Sequence, residues 1–164
     1  MTRPFTRILV PTDFSETSDA ALAYAKALAT AFSASLHLVH VFEDPFTAGT
    51  LASEVYAPIP PDLRAQVLAD LRQRLDERMP QGVGTSEILT GITAKVLVDY
   101  AREQQVDLIV MGTHGRGGMA HLLLGSVAER VVRTAPCPVL TVREAVVKAP
   151  AAEQVGTLSP APAQ

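Results

Sequence analysis

The sequence holds a single cysteine, Cys137, among its 164 residues. That rules out an internal disulfide and fits a reducing compartment. No apolar run approaches the ~18 residues that read as a membrane span. The opening MTRPFTRILVPTDFS carries charge but no long apolar core and no cleavage site, so no secretory signal is expected. Positive charge is also in short supply, with 14 Lys and Arg against 17 Asp and Glu and a net charge of −3. Nucleic acid as a main partner requires a clustered basic surface, so that class falls away. Neither a membrane nor a nucleic-acid partner is expected, and the default location is cytoplasmic. No His/Cys/Asp cluster has ligand spacing, so no metal site is expected.

What is present is enough apolar material, 48% of residues, for one domain with a buried core. Short β-branched runs alternate with longer helical patterns. RILVPT (7–12) reads as a buried strand, ended by Pro-Thr-Asp. Ser15 suits the cap of the following helix, with Glu16 and Asp19 near its positive end. Leu22, Ala25, Leu28 and Phe32 then share one helical face.

SLHLVHV (35–41) is the second strand. A second helix starts near Pro60 and Pro61, with Leu63, Val67, Leu71 and Leu75 in one row and its charges on a solvated face. GTSEILT (84–90) is a weaker third strand, placed at an edge. TAKVLVDYAREQQ forms a third helix and DLIVMGT a strongly apolar fourth strand. A helix over about 125–135 and the strand PVLTVR (138–143) complete the pattern. The fold class is therefore α/β: one doubly wound, five-stranded parallel sheet with four helices. Ligands of such sheets bind beyond the carboxyl ends of the strands, where strand order reverses. PTD after the first strand and GTHGRGG after the fourth are the loops to watch.

Two segments depart from the pattern. Glu43 to Pro60 exceeds an ordinary loop of ~12–15 residues and reads as a surface insertion or a lid on the ligand side. From Glu144 to Gln164 the chain is rich in Ala and Pro with little to bury, and is expected to be a disordered tail.

The glycines of VMGTHGRGGMAHLLLGSVAERVV follow the spacing Gly112-x2-Gly115-x9-Gly125-Ser126. Glycines after a strand let backbone N–H groups turn to an anion with no Cβ in the way. Gly125-Ser126 opens a helix whose first N–H groups are free and partly positive. Ser126 can cap that helix or give its hydroxyl to a phosphate oxygen, and Arg116 offers a mobile cation nearby. A loose glycine pattern alone would equally describe a surface loop with a capping serine. Asp13, likewise, could serve only as a turn residue before Ser15.

The full pattern resembles the universal stress protein family, in its ATP-binding branch, whose signature is G-x2-G-x9-G-[S/T]. RILVPTDFS, DLIVMGTHGRGG and LLLGSVAERVVRTAPCPVLTVR flank it as in the family, and the resemblance spans about residues 4 to 143. A domain over 1–143 followed by the tail 144–164 is expected. The resemblance implies strand order 3-2-1-4-5, an adenine nucleotide alpha hydrolase-like fold, and ATP as ligand, with which Mg²⁺ can associate. It implies that Pro11, Thr12 and Asp13 line the adenine and ribose, with the Asp13 carboxylate toward a ribose hydroxyl. Val41 would meet the adenine, and Met111 and Gly112 would lie beneath ribose and phosphates. His114, Gly115 and Arg116 would follow the phosphate loop, completed by Gly125, Ser126 and Val127. Ala128 is a departure, since some binders carry a hydroxyl there, and one phosphate contact is expected to be missing. A homodimer through PVLTVR is also implied.

No catalytic residues are expected. No Gly-Lys-[Ser/Thr] follows the glycines, so the loop is no Walker A motif. No second acidic residue is placed to hold Mg²⁺, no Ser-His-Asp arrangement is evident, and THGR matches neither an HxGH nor an SGGxDS-type loop. A receiver domain would need a phosphoacceptor Asp after the third strand, where the chain has ILTGIT. His37 and His40 read as packing or strand-end residues, His121 lacks metal-spaced partners, and Cys137 reads as a buried small residue. A nucleotide-holding regulatory protein is expected. A slow ATPase or phosphotransfer protein, and a ligand-free interaction module, are the alternatives.

Overall fold

The computed structural model describes residues 5–43, 59–79, 82–113 and 124–143. The insertion at 44–58, His114, Gly115, Arg116, His121 and the tail 144–164 lie outside the described residues. The elements run β1 (Arg7–Pro11), α1 (Glu16–Phe32), β2 (Ser35–Phe42), α2 (Pro61–Arg78) and β3 (Gly84–Thr90). They continue with α3 (Thr93–Glu103), β4 (Leu108–Gly112), α4 (Ser126–Thr134) and β5 (Val139–Val142). All strand pairs are parallel and the order is β3-β2-β1-β4-β5, as expected.

Alternation across each strand divides the core in two. Ile8, Val10, Leu36, Leu38, Leu108 and Val110 pack with Ala20, Ala21 and Ala25 of α1 and with Leu75 of α2. Leu9, Val39, Ile109 and Met111 pack on the other face with Leu97 and Ala101 of α3 and Ala128 and Val131 of α4. A central strand covered on both faces has no solvent side, which is why Ile8, Leu9 and Val10 are all fully buried. Each such Leu or Ile contributes about 1.5–3 kcal/mol through burial.

Ser15 is the α1 N-cap and accepts from the Ser18 amide, with Glu16 and Asp19 in the first turn. Pro61 opens α2 after Pro60, where a missing N–H costs nothing. The α2 row is only half realised: Leu71 and Leu75 are buried, while Leu63 is 49% exposed. Nor are its charges all solvated. Arg72 pairs with Asp76 in solvent, but Arg74 and Arg78 turn onto the Phe14 ring, 4.1 and 5.1 Å from its centroid, and Arg78 also pairs with Asp19 at 2.9 Å. Cationic faces over an aromatic ring are attractive.

β3 lies at an edge, and its first residue is sterically restricted: a Cβ on Gly84 would fall 1.8 Å from the Leu36 carbonyl oxygen. At the amino ends of β1 and β4, Asp107 Oδ2 accepts from the Thr6 amide and hydroxyl and from the Arg7 amide at 2.6–2.9 Å. The Thr6 hydroxyl bond, above all, holds that carboxyl below its usual range. Under α3, the Tyr100 hydroxyl donates to Glu87 (2.9 Å) and therefore accepts from Nδ1–H of His37 (3.0 Å). Burial pushes the Tyr100 phenol up and the His37 imidazole down.

Candidate nucleotide site

β1 is flanked by β2 on one side and β4 on the other, so the direction in which successive strands are added reverses between β1 and β4. Ile8 and Leu9 register with Leu108 and Ile109, so Pro11 and Gly112 end neighbouring strands at the same rim. That rim is where a doubly wound sheet leaves a crevice, because the connecting helices depart to opposite faces.

On the β1 side, the Thr12 amide donates to the Val39 carbonyl at 2.8 Å, the last backbone bond of the β1–β2 ladder. Thr12 is 6% exposed, and its hydroxyl accepts from the Phe14 amide at 3.0 Å. Ser18 Oγ donates to the Ser15 carbonyl (2.8 Å), so Thr12 must donate in the 3.0 Å contact between the Thr12 and Ser18 hydroxyls. Asp13 Oδ1 accepts from both the amide and the hydroxyl of Ser15. With its proton given to Asp13, Ser15 Oγ accepts from Thr17 Oγ1 at 3.0 Å. The turn role of Asp13 is therefore real. It also fixes the carboxylate at the rim, through the same Ser15 hydroxyl that caps α1.

On the β4 side, Thr113 N–H donates to Val142 and its carbonyl accepts from the Gly125 amide at 2.7 Å. This bond brings the start of α4 against the end of β4. Gly112 has a packing reason of its own: a Cβ there would sit 3.0–3.1 Å from Thr17 atoms of α1. The N-cap of α4 is Gly125, with no side-chain cap bond, and Ser126 is the first helical residue. Ser126 therefore does not cap the helix, because the extended backbone of the cap position belongs to the residue before it. The first amides of α4 have no acceptor within the helix. The Ser126 side chain is exposed and Val127 half-buried.

Pro11, Thr12, Asp13, Gly112, Gly125 and Ser126 thus converge on one rim. Val41 stands half-buried near the end of β2, two residues beyond the Pro11–Val39 pairing. Met111 is 5% exposed and packs in the α3–α4 core, which leaves its backbone rather than its side chain at the rim. Ala128 is likewise in that core. Cys137 is only partly buried, and burial raises its thiol pKa, which disfavours the reactive thiolate. Among the described residues no group of His, Cys, Asp or Glu could hold a metal ion. No described helix is long and apolar enough to cross a membrane.

His40, expected to be a packing or strand-end residue, also faces the turn after β1 through Phe14. Phe14 adopts φ 65°, in the left-handed region, with its ring 4.7 Å from that of His40. The period-two pattern of β2 was the available signal, since it sends His40 to the α1–α2 side with Leu36 and Leu38.

The Universal stress protein family matches residues 4–143 of the chain. The chain is 35% identical to universal stress protein MJ0531 of Methanocaldococcus jannaschii, over 85% of this chain and 83% of that one. Among solved structures, protein MJ0577 of the same organism superposes with a TM-score of 0.71 at 30% identity, covering 85% of this chain and 96% of the other. A universal stress protein solved in complex with cAMP superposes with a TM-score of 0.60 at 26% identity, covering 85% and 98%.

Proposed function

The chain belongs to the universal stress protein family, and on that footing we propose that it is an ATP-binding member that holds the nucleotide as a regulatory ligand. The carrying observation is that Asp13 follows β1 while the start of α4 is bonded to the residue that follows β4, and β1 and β4 are neighbours at the strand-order switch. A fixed carboxylate accepts hydrogen bonds from sugar hydroxyls, and a helix start without a side-chain cap attracts phosphate through its first amides and partial positive charge. In this reading Pro11, Thr12 and Asp13 line the sugar and base, and Val41 meets the adenine. Met111 and Gly112 pass beneath. His114, Gly115, Arg116, Gly125, Ser126 and Val127 surround the phosphates. The family relative solved with cAMP supports an adenine nucleotide as the ligand class. Mg²⁺, where present, arrives with the phosphates.

Holding rather than turnover is favoured by the absence of a Walker lysine from the glycine loop. Binding without groups that act only in the transition state gives affinity but little rate. A displacement titration with ATP, ADP, AMP and cAMP, repeated on Asp13→Ala, tests the ligand reading: adenine nucleotides bind and the variant binds them more weakly. Equal binding by wild type and variant overturns it. Turnover with Mg²⁺, with Arg116→Ala as control, separates holding from slow hydrolysis.

The proposed cytoplasmic protein acts as a homodimer through β5. Leu140 is 38% exposed on that edge strand and Val132 46% exposed on α4. Open edge backbone and exposed apolar side chains invite pairing with a second copy. Sedimentation at increasing concentration shows a dimer if this holds, and a monomer throughout if it does not.

A further inference from the structure

We infer that His40 is a positioning residue for the sugar end of the site, acting through the Thr12 carbonyl on Asp13; this rests on the nucleotide reading above. The β1–β2 ladder ends at the Thr12 amide, which bonds to Val39. The Thr12 carbonyl is instead met by His40 Nδ1 at 2.8 Å. A carbonyl only accepts, so Nδ1 carries the hydrogen and the imidazole continues the ladder by one bond. The same ring lies 4.7 Å from Phe14, whose left-handed φ of 65° shapes the other side of the turn. Asp13 therefore sits between two residues that His40 holds, one by hydrogen bond and one by ring contact. With Ser15 fixing Oδ1, the carboxylate has a single direction.

Removing the Nδ1–H leaves the buried Thr12 carbonyl short of a donor, and the Thr12–Asp13 peptide then rotates to find one. The loss falls on the sugar hydroxyls that Asp13 accepts from and spares the phosphates. The assay is the ratio of dissociation constants for 2′,3′-dideoxyATP and ATP, which reads the sugar-hydroxyl contact alone. Wild type should prefer ATP by about tenfold, as one hydrogen bond to a charged group allows. In His40→Gln the amide reaches where Nε2 lies, and the preference should fall to within about twofold. In His40→Asn the amide N–H replaces Nδ1–H in place, and most of the preference should return. A general loss of structure would weaken both ligands alike without this pattern.

If Gln and Asn behave alike, or if Gln keeps the full preference, the inference is overturned while the nucleotide reading stands. If the wild-type chain binds ATP without preferring it over the dideoxy analogue, the Asp13–sugar contact itself is wrong and the inference falls with it. Thermal melting of each variant accompanies the titrations.

Discussion

Replacing Gly112 should disturb the fold and the site together, by an amount the geometry sets. A Cβ at this position meets the Thr17 backbone carbon, Cβ and carbonyl oxygen at 3.0–3.1 Å, short of the ~3.5–4.0 Å of comfortable carbon contact. Helix α1 cannot slide away freely, because Ala20, Ala21 and Ala25 seat it closely on the sheet. Overpacking of this kind costs about 1–3 kcal/mol. In Gly112→Ala the strain of one methyl is partly offset by a stiffer unfolded chain, leaving a net loss of about 1 kcal/mol. Gly112→Val adds two further carbons beyond that methyl in the same space and should lose about 3 kcal/mol. With a urea slope of about 2 kcal/mol/M, the valine variant's midpoint should fall by about 1.5 M. Because Thr17 Oγ1 bonds to Ser15 Oγ and Ser15 holds Asp13, the alanine variant should also bind ATP more weakly while still folded. An unchanged urea midpoint for Gly112→Val would refute the packing argument.

Gly84→Ala should cost about 1–3 kcal/mol in urea denaturation, because its Cβ would fall 1.8 Å from the Leu36 carbonyl oxygen and β3 must detach at its start; wild-type stability would show that the strand start is free to shift. Asp107 is held below its usual range, so its contribution is present above about pH 4 and is lost as pH falls through the lower folded value. Asp107→Asn should be less stable than wild type at neutral pH and should converge with it as pH falls through the lowered folded value, as measured by urea midpoints across pH. The Tyr100 phenol is raised by burial and by Glu87, which favours its neutral form in the fold, so its contribution is present below about pH 10 and is lost as pH rises through the folded value. An ultraviolet titration of tyrosinate should show a late-ionising component that Tyr100→Phe removes.

The order and type of the elements were legible because each periodicity has one physical cause. The continuous apolar run of β1 means burial on both faces, and Ile8, Leu9 and Val10 are fully buried. Ser15 followed by acidic residues announces a helix start, and Ser15 does cap α1. The rim residues Thr12, Asp13, Gly112 and Gly125 were legible from the glycine spacing and the family resemblance, since strand ends at a switch point must meet. Which residue caps α4 was not legible, because capping depends on backbone angles that Gly125 and Ser126 could each have supplied. The bond from His40 to Thr12 was hidden by a separation of 28 residues and by the register of two strands. Arg74 and Arg78 looked like members of a solvated face, since nothing local tells an arginine that stacks on Phe14 from one in water. Gly112 had two causes at once, and sequence reading weighed only the approach of phosphate.

In the proposed site the start of α4 and the Asp13 turn hold one nucleotide between them. Titration calorimetry of the wild-type chain and of Gly125→Val with ATP tests it most directly. One ATP should bind per wild-type chain, and that binding should be lost in a folded Gly125→Val, whose branched side chain would stand where phosphate lies. No binding by the wild type, or equal affinity in both proteins, would contradict it.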